Sequence, residues 1–345
     1  MNHRQLGVQN AVEPFNGRRT WMNKLYRLRR VLGILALSAC ALASIEANAQ
    51  GVEFLTAARD GDLPHVKALL DDKVDVNTKT DIGLTALMMA SVNGHLEVVQ
   101  ALIGANADVN IVAANGSTAL MLASAAGKSD VAKALLNAKA DVNAKAKGFN
   151  DYTALMLASE NGYLEVVRAL IEAKSDVNLT SGSGATALKI ASQRGQLEAV
   201  KALLEAKADV NLAAANGSTA LMSASEKGHL EVVTALLEAK AGVNAQASKE
   251  LGRYTALMFA SENDHVEVVR ALLAGGAYVD ARGGKLVSTA LMMASEKGYL
   301  EVVRALIDAK ANVGNVNIRL DTALSLATAG GHQNVVELLK SAGAN

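Results

Sequence analysis

Between Thr219 and Asn244 the apolar positions recur with the period of a helix. Leu230, Val233, Leu236 and Leu237 fall on one helical face, and Glu231, Glu238 and Lys240 are left for solvent. A shorter helix precedes it: the Thr219 hydroxyl can cap its start, and Gly228 can take the left-handed geometry that ends it. The stretch therefore predicts two short helices joined by a turn. Nearly the same pattern returns at Thr85, Thr118, Thr153, Thr186, Thr255, Thr289 and Thr322, at intervals of 33 to 36 residues. A fixed period of this size marks stacked supersecondary units. One such pair cannot bury its apolar face alone, so each unit needs a neighbour.

The repeats also predict where the array stops. Residues 50–79 hold a degraded first unit, in which Ala57, Ala58 and Gly61 match the end of a first helix and Val66, Leu69 and Leu70 the second. Its Thr-Ala-Leu-Met opening is missing. Asp60, Asp62, Asp71 and Asp72 make it polar, as suits a terminal unit facing water. Seven well-formed units follow over residues 80–317, beginning near 80, 113, 147, 181, 214, 248 and 283. The last unit, residues 318–345, has Gln333 where others have Leu or Val and reads as the second cap. Residues 113–120 recur verbatim at 214–221, which points to the duplication of a triplet of units. The fold expected is mainly α, a solenoid of about nine stacked helix-turn-helix units.

The unit resembles the ankyrin repeat. The resemblance rests on the Thr-x-Leu-x opening, on Gly-His at the inter-helix turn (Gly94-His95, Gly228-His229, Gly331-His332), on Glu-Val-Val and Ala-Leu-Leu, and on a closing Ala-Asp-Val-Asn ending at Asn110, Asn143 and Asn211. It covers about residues 52–345. It implies antiparallel helix pairs joined by hairpin-like fingers at right angles to them, and a protein-binding surface without catalytic activity. Two departures stand out. The family's usual Thr-Pro-Leu-His is here Thr-Ala-Leu-Met, so a row of Met88, Met121, Met156, Met222, Met258 and Met292 replaces a polar row with flexible packing. After the second helix, where glycine is usual, stand Lys139, Lys174, Lys207, Lys240 and Lys310, which carry a steric penalty if they are left-handed.

Composition agrees with thin helical layers: 50% of residues are hydrophobic but only 3% aromatic. The zero formal charge hides an asymmetry. Residues 1–49 hold seven of the 34 basic residues and only two of the 34 acidic ones, so the repeats are net acidic and a poor surface for nucleic acid. The basic run 24–30, the apolar stretch 31–44 and Ala47-Asn48-Ala49 follow one another in the order of a secretory signal peptide. The apolar stretch is short for a permanent membrane helix, which needs roughly 20 residues. Met22 offers an alternative start that gives a leader of ordinary length. Cys40, the single cysteine, follows Leu37, Ser38 and Ala39 in an arrangement that resembles a bacterial lipobox, so a lipid anchor at Cys40 is the alternative to cleavage after Ala49. Cleavage leaves the mature chain without cysteine, hence without disulfides or thiolate metal sites.

Residues at one repeat position form rows spaced by about 8–10 Å, too wide for two members to share a ligand. The methionine row therefore reads as packing, and His95, His229, His265 and His332 as structural turn residues. The serine row Ser91, Ser124, Ser159, Ser192, Ser225, Ser261 and Ser295 lacks an adjacent base. Glu165/Arg168 and Glu301/Arg304 are solvated helix pairs. Residues 181–184 lack the lysine and strand of a phosphate loop. No catalytic residue, cofactor or metal is expected, and the chain reads as a non-enzyme. The partner expected is another protein, bound through finger tips and the concave face of the first helices by an exported scaffold in the periplasm or envelope. A secreted effector binding a host protein and a small-ligand or peptide carrier are the alternatives. Tyr152 and Tyr254 precede their capping threonines after lengthened fingers, and Lys189, Gln193 and Arg194 depart from the repeat between them. The expected contact surface is Phe149, Asn150, Tyr152, Lys189, Gln193, Arg194, Leu251, Arg253 and Tyr254, with the tyrosines as exposed anchors.

Overall fold

A computed structural model describes residues 49–345. The leader, the Met22 start and the Cys40 lipidation reading fall, but for Ala49, outside the described residues. Among these the chain forms nine helix pairs, here called units 1 to 9. They are α1 (Ala49–Asp60) with α2 (Leu63–Asp71), α3 (Ala86–Asn93) with α4 (Leu96–Gly104), and α5 (Ala119–Ala125) with α6 (Ser129–Asn137). Next come α7 (Ala154–Asn161) with α8 (Leu164–Glu172), α9 (Ala187–Arg194) with α10 (Leu197–Glu205), and α11 (Ala220–Lys227) with α12 (Leu230–Glu238). The last are α13 (Ala256–Glu262) with α14 (Val266–Ala274), α15 (Ala290–Lys297) with α16 (Leu300–Asp308), and α17 (Ala323–Ala329) with α18 (Gln333–Ser341). First helices pack on first helices of the adjoining units, and second on second.

Each first helix after unit 1 starts where its threonine accepts a backbone N–H three residues on, as at Met88 (3.2 Å) and Met222 (3.3 Å). In α3 every residue from Ala86 to Val92 is buried, whereas α9 leaves Gln193 exposed. Gly228 ends α11 with φ +72°, and a Cβ there would lie 2.6 Å from the His265 ring, so both backbone and neighbour require glycine. The second helices are amphipathic. In α12 the buried residues are Val232, Val233 and Leu236, whereas Leu230 and Leu237 are only half-buried. The apolar stripe is thus turned from the face that the sequence suggests, because the helix rests on α11 and on two flanking second helices together.

Repeats are sewn together by polar side chains. Asn110 Oδ1 accepts the N–H of Asp141 (2.8 Å), Asn143 that of Asp176 (2.9 Å) and Asn211 that of Gly242 (2.8 Å), each one unit on. The turn histidines reach the other way: His95, His229, His265 and His332 bond through Nε2 to carbonyls of Arg59, Gln193, Glu226 and Glu296 in the preceding unit. They are structural. Lys139, Lys174, Lys207, Lys240 and Lys310 are all left-handed, with φ between 62° and 66°. The six methionines of the row are buried.

Ahead of every first helix from unit 2 on, the chain folds back as a finger closed by backbone bonds, for example Ala214 N–H to Ser218 O at 2.9 Å. Among the described residues these fingers contain isolated bridges and no strands. Tip-to-tip backbone bonds, such as Ala215 N–H to Ser183 O (3.0 Å), hold neighbouring fingers in a row beside the first helices. That shared side is the inner face.

Candidate interaction surface

The nine candidate residues form three groups on the inner face. In the finger of unit 4 (residues 143–152), a 3-10 turn over Lys147–Phe149 and left-handed Asn150 and Asp151 accommodate the extra length. Asn150 is exposed and tied to the next finger, its carbonyl accepting the N–H of Gly182 at 2.8 Å. Phe149 is half-buried beside Ser117, Met121, Ala146 and Leu157, over a space of about 10 Å³. Tyr152 is half-buried against the core.

The expectation of tyrosines as exposed anchors at finger tips needs correction. Tyr152 and Tyr254 stand at the base of their fingers, where Leu84, Ser117, Ala185, Ser218 and Ser288 are buried in five other units. Both rings lie against the stack. The added residues lengthen the loop beyond them and leave the tyrosines in place.

On α9, Arg194 Nη2 donates to Glu160 Oε1 at 2.6 Å, and Glu160 is buried, so this charge is matched inside the array. Lys189 occupies the methionine row. Burial lowers its pKa, and the negative charge of Glu226 partly offsets that. Gln193 is exposed, and its carbonyl receives His229.

In unit 7, Leu251 is half-buried, Arg253 is exposed with φ 57°, and the Tyr254 ring meets Phe259 at 4.9 Å. Burial and the hydrogen-bonded, charged Glu262 push the Tyr254 phenol up to about 12. Leu251 and Tyr254 also line an open cavity of about 810 Å³ between the fingers of units 7 to 9 and helices α13 and α15. Glu262, Met293, Glu296 and Lys297 form its helical wall, and Lys249, Lys285 and Arg319 stand on its finger side. The volume is that of a typical recognition pocket, roughly 300–1,000 Å³.

The structure therefore joins two of the nine expected residues, Leu251 and Tyr254, to residues that the sequence did not single out. The group in unit 4 lies three repeats away, roughly 24–30 Å at helix-packing distance. Charge alone does not single out the cavity in the sequence: residues 110–117, 178–185 and 211–218 contain no charged residue, but the fingers of units 2 and 4 carry Lys79, Asp81, Lys145 and Lys147 just as those of units 7 to 9 carry charge. The serine row lies inside the stack. Its seven hydroxyls are fully buried and have no hydrogen-bond partner. Among the described residues no cluster of His, Cys, Asp and Glu could hold a metal, and no helix is long and apolar enough to cross a membrane.

A family model described as "Ankyrin repeats (3 copies)" matches residues 54–146, 145–214, 211–283 and 283–345. No curated protein matches the chain.

Proposed function

Because the chain belongs to the ankyrin-repeat family, whose repeats bind other proteins and are typically non-catalytic, we propose that it is a binding scaffold whose inner face receives one protein partner. The observation that carries this is the open cavity of about 810 Å³, bounded by fingers that are already hydrogen-bonded to one another. A surface ordered before association avoids much of the entropy cost of binding. Asn150, Gln193 and Arg253, the exposed members of the expected surface, would extend the contact along the inner face. The carrier alternative is less well supported, because seven of the residues lining the cavity are charged and small-ligand pockets are mostly apolar.

We also propose that the scaffold is exported to the periplasm or envelope. The support is the charged, apolar, small-residue order of residues 24–49. A secreted effector would use the same surface in another compartment. Intact mass separates the cases: cleavage gives a chain starting at Gln50, lipidation one starting at Cys40 with added acyl groups, and an unprocessed cytoplasmic chain contradicts both.

Binding is tested by crosslinking in intact cells, with wild type compared to Gln193→Glu/Arg253→Glu on the inner face and Lys201→Glu on α10. Loss of the crosslinked species in the inner-face variant alone is expected. Equal loss in both, or in neither, contradicts the assignment of the inner face.

A further inference from the structure

Two residues before each capping threonine the finger is left-handed in every unit from 2 to 9. Glycine fills the position as Gly83, Gly116, Gly184 and Gly217, and polar Asp151 and Arg253 fill two more. Units 8 and 9 instead place Val287 (φ 57°) and Leu320 (φ 67°) there. A β-branched or bulky aliphatic residue is an outlier in this region. Burial does not compensate it: Val287 is 40% exposed and Leu320 78%, with Ile318 beside it at 65%. Strain held together with solvent-facing apolar surface marks a place shaped for contact with something outside the chain.

Charge adds a second, independent observation on the same fingers. Lys249, Lys285 and Arg319 sit one on each of three successive fingers, and Lys297 on α15 completes a set of four cations around the cavity. None of the four is in an ion pair among the described residues. Three acids, Glu250, Glu262 and Glu296, stand against these four cations, which leaves the lining net positive by one. The cavity's lining is thus positive on an array that is otherwise net acidic. Backbone bonds fix its spacing: Gly284 N–H donates to Gly252 O (2.7 Å) and Ile318 N–H to Leu286 O (3.0 Å).

We propose that the fingers of units 7 to 9 and the cavity beneath them bind a segment of another protein that carries aliphatic side chains next to carboxylates. The aliphatic groups cover Val287, Ile318 and Leu320, and the carboxylates pair with Lys249, Lys285 and Arg319. This rests on the reading of the chain as a scaffold and narrows it to three units and one partner chemistry.

The test is selection of short random peptides displayed on phage against the full chain. Enriched peptides are expected to combine Asp or Glu with Leu, Ile or Val. Their affinity should fall roughly tenfold or more in Val287→Gly/Leu320→Gly, which relieves the strain and keeps the fold, and in Lys249→Glu/Lys285→Glu/Arg319→Glu, checked by thermal unfolding. Enrichment of basic or uncharged peptides, or acidic peptides that bind the variants unchanged, overturns the proposal and leaves the scaffold reading standing. No enrichment above a blank surface counts against both. Self-association in sedimentation that disappears in Val287→Gly/Leu320→Gly would make a second copy the occupant and also overturn it.

Discussion

The finger of unit 6 (residues 211–218) and that of unit 8 (residues 280–288) close in the same way, through Ala214 N–H to Ser218 O and Gly283 N–H to Ser288 O, both at 2.9 Å. Their tips differ. Unit 6 has Gly217 at the left-handed position and no charged residue, while unit 8 has Val287 there, with Arg282 and Lys285 nearby. A Cβ on Gly217 would lie 2.4 Å from the backbone nitrogen of Ser248, so the tip of unit 6 is pressed against its neighbour. At unit 8 the next finger leaves Val287 40% exposed. The stack is thus set by capping threonines, linking asparagines and turn histidines that both units share, and the tips are free to vary without disturbing it. Plain tips spend that freedom on close packing between fingers, and unit 8 uses it to expose apolar and cationic groups.

If both regions share one core, Leu236→Ala in unit 6 and Leu306→Ala in unit 8, both fully buried, should each cost about 2–5 kcal/mol in denaturant unfolding. A much smaller loss at Leu306 would break the comparison by showing a loosely packed C-terminal region. Exchanging the tips gives the next largest effect. Gly217→Val should destabilise by about 2–4 kcal/mol through left-handed strain and collision with the Ser248 backbone. The reverse change, Val287→Gly, should stabilise by about 1 kcal/mol as that strain is released, measured by the same unfolding curves. Destabilisation by Val287→Gly would mean that the valine serves the fold and not a partner.

The smallest effect concerns the shared stitching. Burial is the main cause that holds His229 below its ordinary 6.5. As pH falls through about 6.5 the unfolded chain takes up the proton before the folded one, so stability is lost from there down to the folded-state pKa. Gln196 fills the same turn position in unit 5, where its Nε2 donates to Glu160 O at 3.3 Å. His229→Gln should therefore keep the fold and flatten the decline in melting temperature between neutral and mildly acidic pH. An unchanged pH profile would assign that decline to other groups.

The parts of the structure legible in the sequence were those fixed within one unit. Thr219 and Gly228 carry their own capping and left-handed geometry, and the five lysines that stand where glycine is usual after a second helix are left-handed at the position the repeat marked for it. What escaped depends on the neighbour. Tyr254 looked exposed when its finger was read alone, but Phe259 and the stack take one side of its ring. Val232 is buried because second helices of adjoining units close over it. The cavity draws its walls from three fingers and two helices, and no single unit contains enough of it to be recognised.

Partner contact is proposed to concentrate on the inner face at units 7 to 9. Site-specific photo-crosslinking in intact cells tests it most directly, with the photoreactive residue placed in turn at Leu320, at Ala215 in the finger of unit 6 and at Lys201 on α10. One dominant protein adduct is expected from position 320, a weak one or none from 215, and none from 201. Equal adducts from all three positions, or an adduct from 201 alone, would contradict it.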